Sequence, residues 1–330
     1  MANKPRITFS TNPHPRNRAL IDGLIPIDGY DLEYVGDKYS PGEMHYRFMQ
    51  GEFDVAEMST ATLMRAKEKG KRFAALPIFF QRGPRQRNIF YREGSLRHPS
   101  ELKGKQIGAF RYGATAVSWA RGYLLDEHGI KTTDVGWFVS GREVYIDNEL
   151  RVKVERLDPP PPFGQEKAHL SRLVGEGKLA AALVAGDSGY TALFGGGSLP
   201  EAMGRSPGVK PLFEDTDEII RYVKRTQIYP IIHIVTIKEE TAEKYPDVTA
   251  KLIEAFREAN RLAPRYLTAA QAEGYAKERD LLGYDPYAGV LSESDKKSMR
   301  ALNRYQIEQG LVKKELPLES LFVKEAFMMK

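Results

Sequence analysis

The chain has 330 residues, 42% of them hydrophobic and 28% charged, with a net charge of +5 and no cysteine. That length buries a sizeable core and suggests about two domains, and the missing thiol excludes disulfides, thiolate metal sites, iron–sulfur clusters and a cysteine nucleophile. The positive charge suits a small anionic ligand but is too evenly spread to argue for nucleic acid. No apolar run is long enough to span a bilayer, and Ile7–Phe9 is too short for a secretory core, so no membrane partner and a cytoplasmic location are expected.

Taken in chain order, the first ninety residues alternate short apolar runs, at 7–9, 32–35, 53–58 and 73–80, with helical patterns, which is the rhythm of a βαβ fold. Ser40-Pro41-Gly42-Glu43 reads as a capping box with proline at the first helical position, and that helix should end at Gly51. A second helix opens at Ser59-Thr60, carries Lys67 and Lys69 in its last turn and stops at Gly70. From about residue 95 the pattern restarts. Strands are expected at 106–110, 135–139, 152–157 and 180–185, and helices at 115–127 and 168–175. A stiff Pro159–Pro162 spacer and a flexible Gly195-Gly196-Gly197 interrupt this part. Residues 231–237 read as one buried strand, a helix starts near Pro246-Asp247 with Leu252, Phe256 and Ala259 on one face, and the remainder is mainly helical.

The most informative segment is Gln81–Asn88, part of a stretch over 82–97 that holds five arginines and no lysine. A planar guanidinium grips a carboxylate through two parallel hydrogen bonds, so an arginine-only turn between strands suggests carboxylate recognition. A solvated loop is the commoner explanation for any one of Arg82, Arg85 and Arg87, but ligand contact is expected for at least one. Ligands of open α/β sheets lie beyond the carboxyl ends of strands, where helix N-termini favour anions. Two such junctions stand out: Glu57-Met58-Ser59-Thr60, and Arg111-Tyr112-Gly113-Ala114-Thr115. Plain capping accounts equally well for Ser59 and Thr115. His233 interrupts the apolar run Ile231–Val235 and therefore needs a partner; a backbone-bonded core histidine is the commoner outcome, and a usable acid is the functional one. His14, followed by Arg16, is a weaker candidate. His45, His98, His128 and His169 sit in patterns that look exposed. Walker A, dinucleotide-binding, zinc-protease and nucleophile-elbow motifs are absent; Gly186-Asp187-Ser188-Gly189 is too short a match for the last. No spacing supports a metal, although scattered histidines and carboxylates leave a divalent ion open.

At this point the chain resembles the 4,5-dihydroxyphthalate decarboxylase family. The resemblance runs nearly end to end. It rests on Glu52–Ser59, on Pro77-Ile78-Phe79 followed by Arg82 and Arg85, on Ala116–Gly122, and on Ile228–His233, with weaker echoes at Gly283–Tyr287 and Tyr305–Leu311. Gln86 and Arg87 stand where the family usually has a histidine and a small residue, and Ala185-Gly186-Asp187 replaces a more basic pattern with proline. The resemblance implies an α/β, two-lobed type II periplasmic-binding-protein-like fold with a ligand cleft between lobes and two hinge crossings, residues 1–94 plus 230–330 forming one lobe and 95–229 the other. It further implies non-oxidative decarboxylation of a hydroxylated aromatic dicarboxylate without a cofactor. In that scheme Arg82 and Arg85 hold the retained carboxylate and His233 supplies the proton. Glu57, Ser59, Arg111 and Thr115 orient the substrate, with Arg87, Tyr112, His14 and Arg16 also at the site. A homo-oligomer is expected. The rival from another class is a non-catalytic solute-binding protein of the ABC-transporter type for an anionic aromatic or pyrimidine-like ligand.

Overall fold

In a computed structural model of the chain, residues 4–39, 41–141, 152–156, 161, 165–185 and 206–329 are described. The chain divides into two compact units: Met1–Arg82 with Ile231–Lys296 and Leu316–Lys330, and Gly83–Pro230 with Lys297–Glu315. The path therefore changes unit after Arg82, Pro230, Lys296 and Glu315. The resemblance implies only the crossings near 94 and 230; the other two arise from residues 297–315, which nothing local marks as belonging with the second unit.

Strands are numbered along the whole chain. The first unit holds β1 (Arg6–Ser10), β2 (Asp31–Tyr34), β3 (Val55–Ser59) and β4 (Phe73–Arg82), and its last strand, β11 (Ile231–Lys238), arrives only after the chain has passed through Gly83–Pro230 of the second unit. The sheet order is β2-β1-β3-β11-β4. β1 pairs in parallel with β2 and β3, as crossover connections require, whereas β11 runs antiparallel to both β3 and β4. Its central place explains why β3 is apolar on both faces: Val55, Ala56 and Met58 are buried, and Glu57 is the charged residue among them. On one side the helix Val248–Leu262 buries Leu252, Phe256 and Ala259, and Phe256 meets Phe9 and Phe80 edge-on at 6.5 and 5.8 Å. The helix Pro41–Met49 packs on β3, with Phe48 against Phe73 at 4.7 Å. The helix Thr60–Glu68 begins one residue after Ser59.

Asp54 fastens the start of β3. Its carboxylate accepts hydrogen bonds from the Thr8 amide at 2.9 Å, the Thr8 hydroxyl at 2.8 Å and the Thr241 hydroxyl at 2.8 Å. Burial alone would raise its pKa, but these bonds and the Lys238 ammonium outweigh burial and hold it below the usual value. A depressed carboxyl pKa adds stability that is present above the unfolded value and is lost as pH falls through the folded one. Asp54→Asn should therefore cost about 1.5–3 kcal/mol at neutral pH. In urea unfolding the gap to the parent should narrow as pH drops below about 4. An equal gap at pH 7 and at low pH would contradict this account.

The second unit holds β5 (Ile89–Arg92), β6 (Gln106–Ala109), β7 (Gly136–Val139), β8 (Val154–Arg156), β9 (Ala181–Leu183) and β10 (Val209–Pro211), in the order β10-β5-β9-β6-β7-β8. Phe90, Leu170, Val174, Leu179, Ala182, Val184 and Val209 form a core cluster. The helix Thr115–His128 ends at Gly129 in the left-handed region, φ 61°. In the same helix Gly122 lies against Tyr305, where an added Cβ would stand 2.4 Å from the ring, so the glycine permits the close packing. The proposed Ser40 cap, Pro159, Pro160, Pro162, the 186–189 segment and the 195–197 glycines lie outside the described residues. Among the described residues, no helix is long and apolar enough to cross a membrane.

Candidate active site

The antiparallel register of β3 and β11 pairs His233 with Ser59 and Val235 with Glu57. Side chains alternate faces along a strand, so 57, 59, 233 and 235 share one face and Glu57 meets His233 on the diagonal. His233 Nδ1 lies 2.7 Å from Glu57 Oε1. The second oxygen, Oε2, accepts from the Asn12 amide at 2.8 Å and from Asn12 Nδ2 at 3.1 Å, and it lies 3.5 Å from His14 Nε2. Glu57 has no exposed surface. Burial alone would raise its pKa, but the flanking His14 and His233 rings hold it well below the usual carboxylate range, and the site keeps a buried negative charge.

That charge fixes the neighbouring ring. A carboxylate only accepts, so Nδ1 of His233 carries the hydrogen and Nε2 is left to take or give a proton. Of the three side chains, Glu57 is 0% exposed, His14 4% and His233 17%, so His233 is the member open to a reactant.

The loop after β1 delivers the other partners. Asn17 accepts from the His14 amide at 2.8 Å and donates to Thr11 Oγ1 and to the Asn12 carbonyl at 3.1 and 2.8 Å, while the His14 ring stacks on Phe80 at 5.0 Å. The Arg16 guanidinium lies 3.3 Å from the centre of the Tyr287 ring and 4.2 Å from that of Tyr275, and Nη1 donates to the Phe80 carbonyl. Burial, then Glu278, pushes the Tyr287 hydroxyl well above its usual pKa, so it stays protonated and donates to Glu278 at 3.2 Å. Arg16 is thus an aromatic-clamped anchor for the loop that carries Asn12 and His14.

Two expectations need correction in this unit. Arg82 faces the protein's own Asp295 at 2.7 Å and the Pro286 carbonyl at 2.8 Å, with side-chain exposures of 0% for Arg82 and 2% for Asp295. Burial would lower the guanidinium pKa, but Asp295 more than reverses this. The charge expected to hold a substrate carboxylate already holds an internal one. His45, expected to be exposed, is half-buried, and its ring meets His233 edge-on, centroids 5.2 Å apart. Asn12 carries no more local signal in the sequence than its place before Pro13-His14.

The remaining candidates belong to the second unit. Arg85 is buried at the head of the turn Gln86–Asn88, after Gly83, whose φ of 118° favours glycine. Arg87 reaches the start of the helix Thr216–Thr226, donating to the Thr216 hydroxyl and, at 3.4 Å, to the Glu214 carbonyl. Arg111 is half-buried beside Phe110. Tyr112, expected at the ligand, is a core residue: its hydroxyl donates to the Gln309 carbonyl at 3.1 Å and Arg121 covers its ring at 3.9 Å. Thr115 is the first helical residue, and Ala114 holds the capping position. Among the described residues, no three histidine, aspartate or glutamate side chains are placed to hold a metal ion.

No family model matches the chain. It is 26% identical over 339 residues to a 4,5-dihydroxyphthalate decarboxylase of Comamonas testosteroni, covering 97% of this chain and 96% of that protein. It is 32% identical over 184 residues to a 4,5-dihydroxyphthalate decarboxylase of Pseudomonas putida, covering 55% of this chain and 70% of that one. Among solved structures, the periplasmic sulfonate-binding protein SsuA from Methylobacillus flagellatus KT superposes with a TM-score of 0.60 at 12% identity, over 99% of this chain and 94% of that one. The last likeness shows the fold, the two-lobed α/β architecture of periplasmic binding proteins. With the two enzyme relatives, the chain belongs to the 4,5-dihydroxyphthalate decarboxylase family and is an enzyme of the carboxy-lyase class.

Proposed function

We propose that the enzyme removes one carboxylate from a hydroxylated aromatic dicarboxylate such as 4,5-dihydroxyphthalate, with His233 as the proton donor and Glu57 as the group that holds and orients it. The observation that carries this reading is the charged, fully buried Glu57 on His233 Nδ1. The reaction needs a proton and no nucleophile. In 4,5-dihydroxyphthalate each carboxylate lies para to a hydroxyl. Electron density pushed from that hydroxyl lets the carboxyl-bearing carbon take a proton from His233 Nε2, and rupture of the bond to the carboxylate then restores aromaticity and releases carbon dioxide and 3,4-dihydroxybenzoate. The Glu57 carboxylate accepts at Nδ1 and so leaves Nε2 as the ring atom that exchanges the proton with the substrate. Arg82 has no part in this scheme as a substrate clamp, since Asp295 engages it.

The test is to incubate the purified protein with hydroxylated phthalates and related aromatic carboxylates, without added cofactor, and follow carbon dioxide and ring absorbance. One equivalent of carbon dioxide is expected per ring, with one deuterium at the vacated carbon in heavy water. Tight binding with no turnover would overturn the reading in favour of a binding protein.

A further inference from the structure

We propose that His45 is a positioning residue for His233, holding that ring at the angle from which Nε2 can deliver its proton. The inference rests on the reading of His233 as the donor. One hydrogen bond, from Nδ1 to Glu57, fixes a point on the ring but not its tilt, because the last torsion of a histidine side chain is broad. A second contact is needed, and His45 makes it edge to face at 5.2 Å with an interplanar angle of 77°. Its helix is a rigid support: Met44, Phe48 and Met49 are buried and the helix packs on β3, the strand that carries Glu57. The charged neighbours on the same helix are occupied, Glu43 with Arg47 and Arg47 also with Glu52. Across from the helix, His233 of β11 and His14 of the loop after β1 both face Glu57 of β3. The contact from the helix side is an aromatic edge, which a ring without ionisation can reproduce.

The experiment compares His45→Ala with His45→Phe in the full chain. His45→Ala should lower kcat roughly 10- to 100-fold with KM nearly unchanged, as small misplacements of a reacting group do. His45→Phe should restore most of the rate. In parallel, NMR of the His233 imidazole should show the Nδ1–H tautomer set by Glu57 in all three proteins, with ring resonances that stay parent-like in His45→Phe and are shifted and exchange-broadened in His45→Ala. Equal damage from both substitutions, or a His45→Ala protein with unaltered kcat and His233 resonances, would overturn the proposal. The NMR arm needs no turnover: a protein that decarboxylates nothing would sink the functional reading while this arm still decides the role of His45.

Discussion

Glu57→Gln should lower kcat by roughly 10²- to 10⁴-fold, the range of a lost acid–base contribution, while the protein stays folded and binds its ligand. Glutamine matches glutamate in shape, so packing on β3 is preserved. What changes is the inventory of donors. The Asn12 amide, Asn12 Nδ2, His14 Nε2 and His233 Nδ1 all turn towards this carboxylate, a setting made for a pure acceptor. A glutamine places an NH₂ group against one of those donors. If it faces His233, the ring must switch to the Nε2–H tautomer to accept at Nδ1, and Nε2 loses the lone pair that would reload it. If it faces Asn12, a buried amide is left unsatisfied, at about 1–3 kcal/mol. In either case the pure acceptor that orients the His233 ring is gone. Measuring kcat beside ligand affinity separates this from a folding defect, and a variant within threefold of the parent would contradict the account.

Arg82→Met should destabilise the first unit by about 3–5 kcal/mol, because it leaves Asp295 charged and buried without its partner. Asp295 cannot turn away, since its Oδ2 accepts from the Ser292 amide and hydroxyl at 2.9 and 2.7 Å at the start of the helix Glu293–Glu308. Arg82→Lys should rescue little, as one ammonium cannot reach both Asp295 and the Pro286 carbonyl with the spread of the guanidinium fork. The double change Arg82→Met with Asp295→Asn should recover part of the loss. Trp119 and Trp137 both lie in the second unit, so hydrogen exchange over β4 and β11 in graded urea reads this effect better than tryptophan fluorescence. KM should stay within a few-fold where the variant is folded. A sharp rise in KM with less than about 1 kcal/mol of lost stability would instead restore Arg82 to the substrate.

The strands were legible where apolar runs were long and bounded, as at β3, β4 and β11. β5 was legible only as the far side of the arginine turn, and the edge strand β10 was missed, because Val209-Lys210-Pro211 has no alternation and ends in a proline. Glu57, His14 and His233 stood out as polar residues in apolar or proline-flanked settings, and the register of β3 and β11 explains why they meet. Arg82 misled because its partner Asp295 is remote in the chain, and the preference for arginine serves an internal carboxylate as well as a bound one. His45 was passed over because its helix is polar on its outer side, where Tyr46 is exposed, and one turn of sequence does not show which neighbour faces β11. Tyr112 looked like a ligand contact from its place at a strand–helix junction, but its hydroxyl is satisfied inside the core.

The most direct test of the central claim is carbon dioxide release from 4,5-dihydroxyphthalate by the parent protein and by His233→Gln, measured side by side with ligand affinity. The account predicts turnover by the parent without added cofactor. It also predicts at least a roughly 100-fold loss of kcat in His233→Gln, with affinity little changed. Full turnover by His233→Gln would contradict the assignment of His233 as the proton donor.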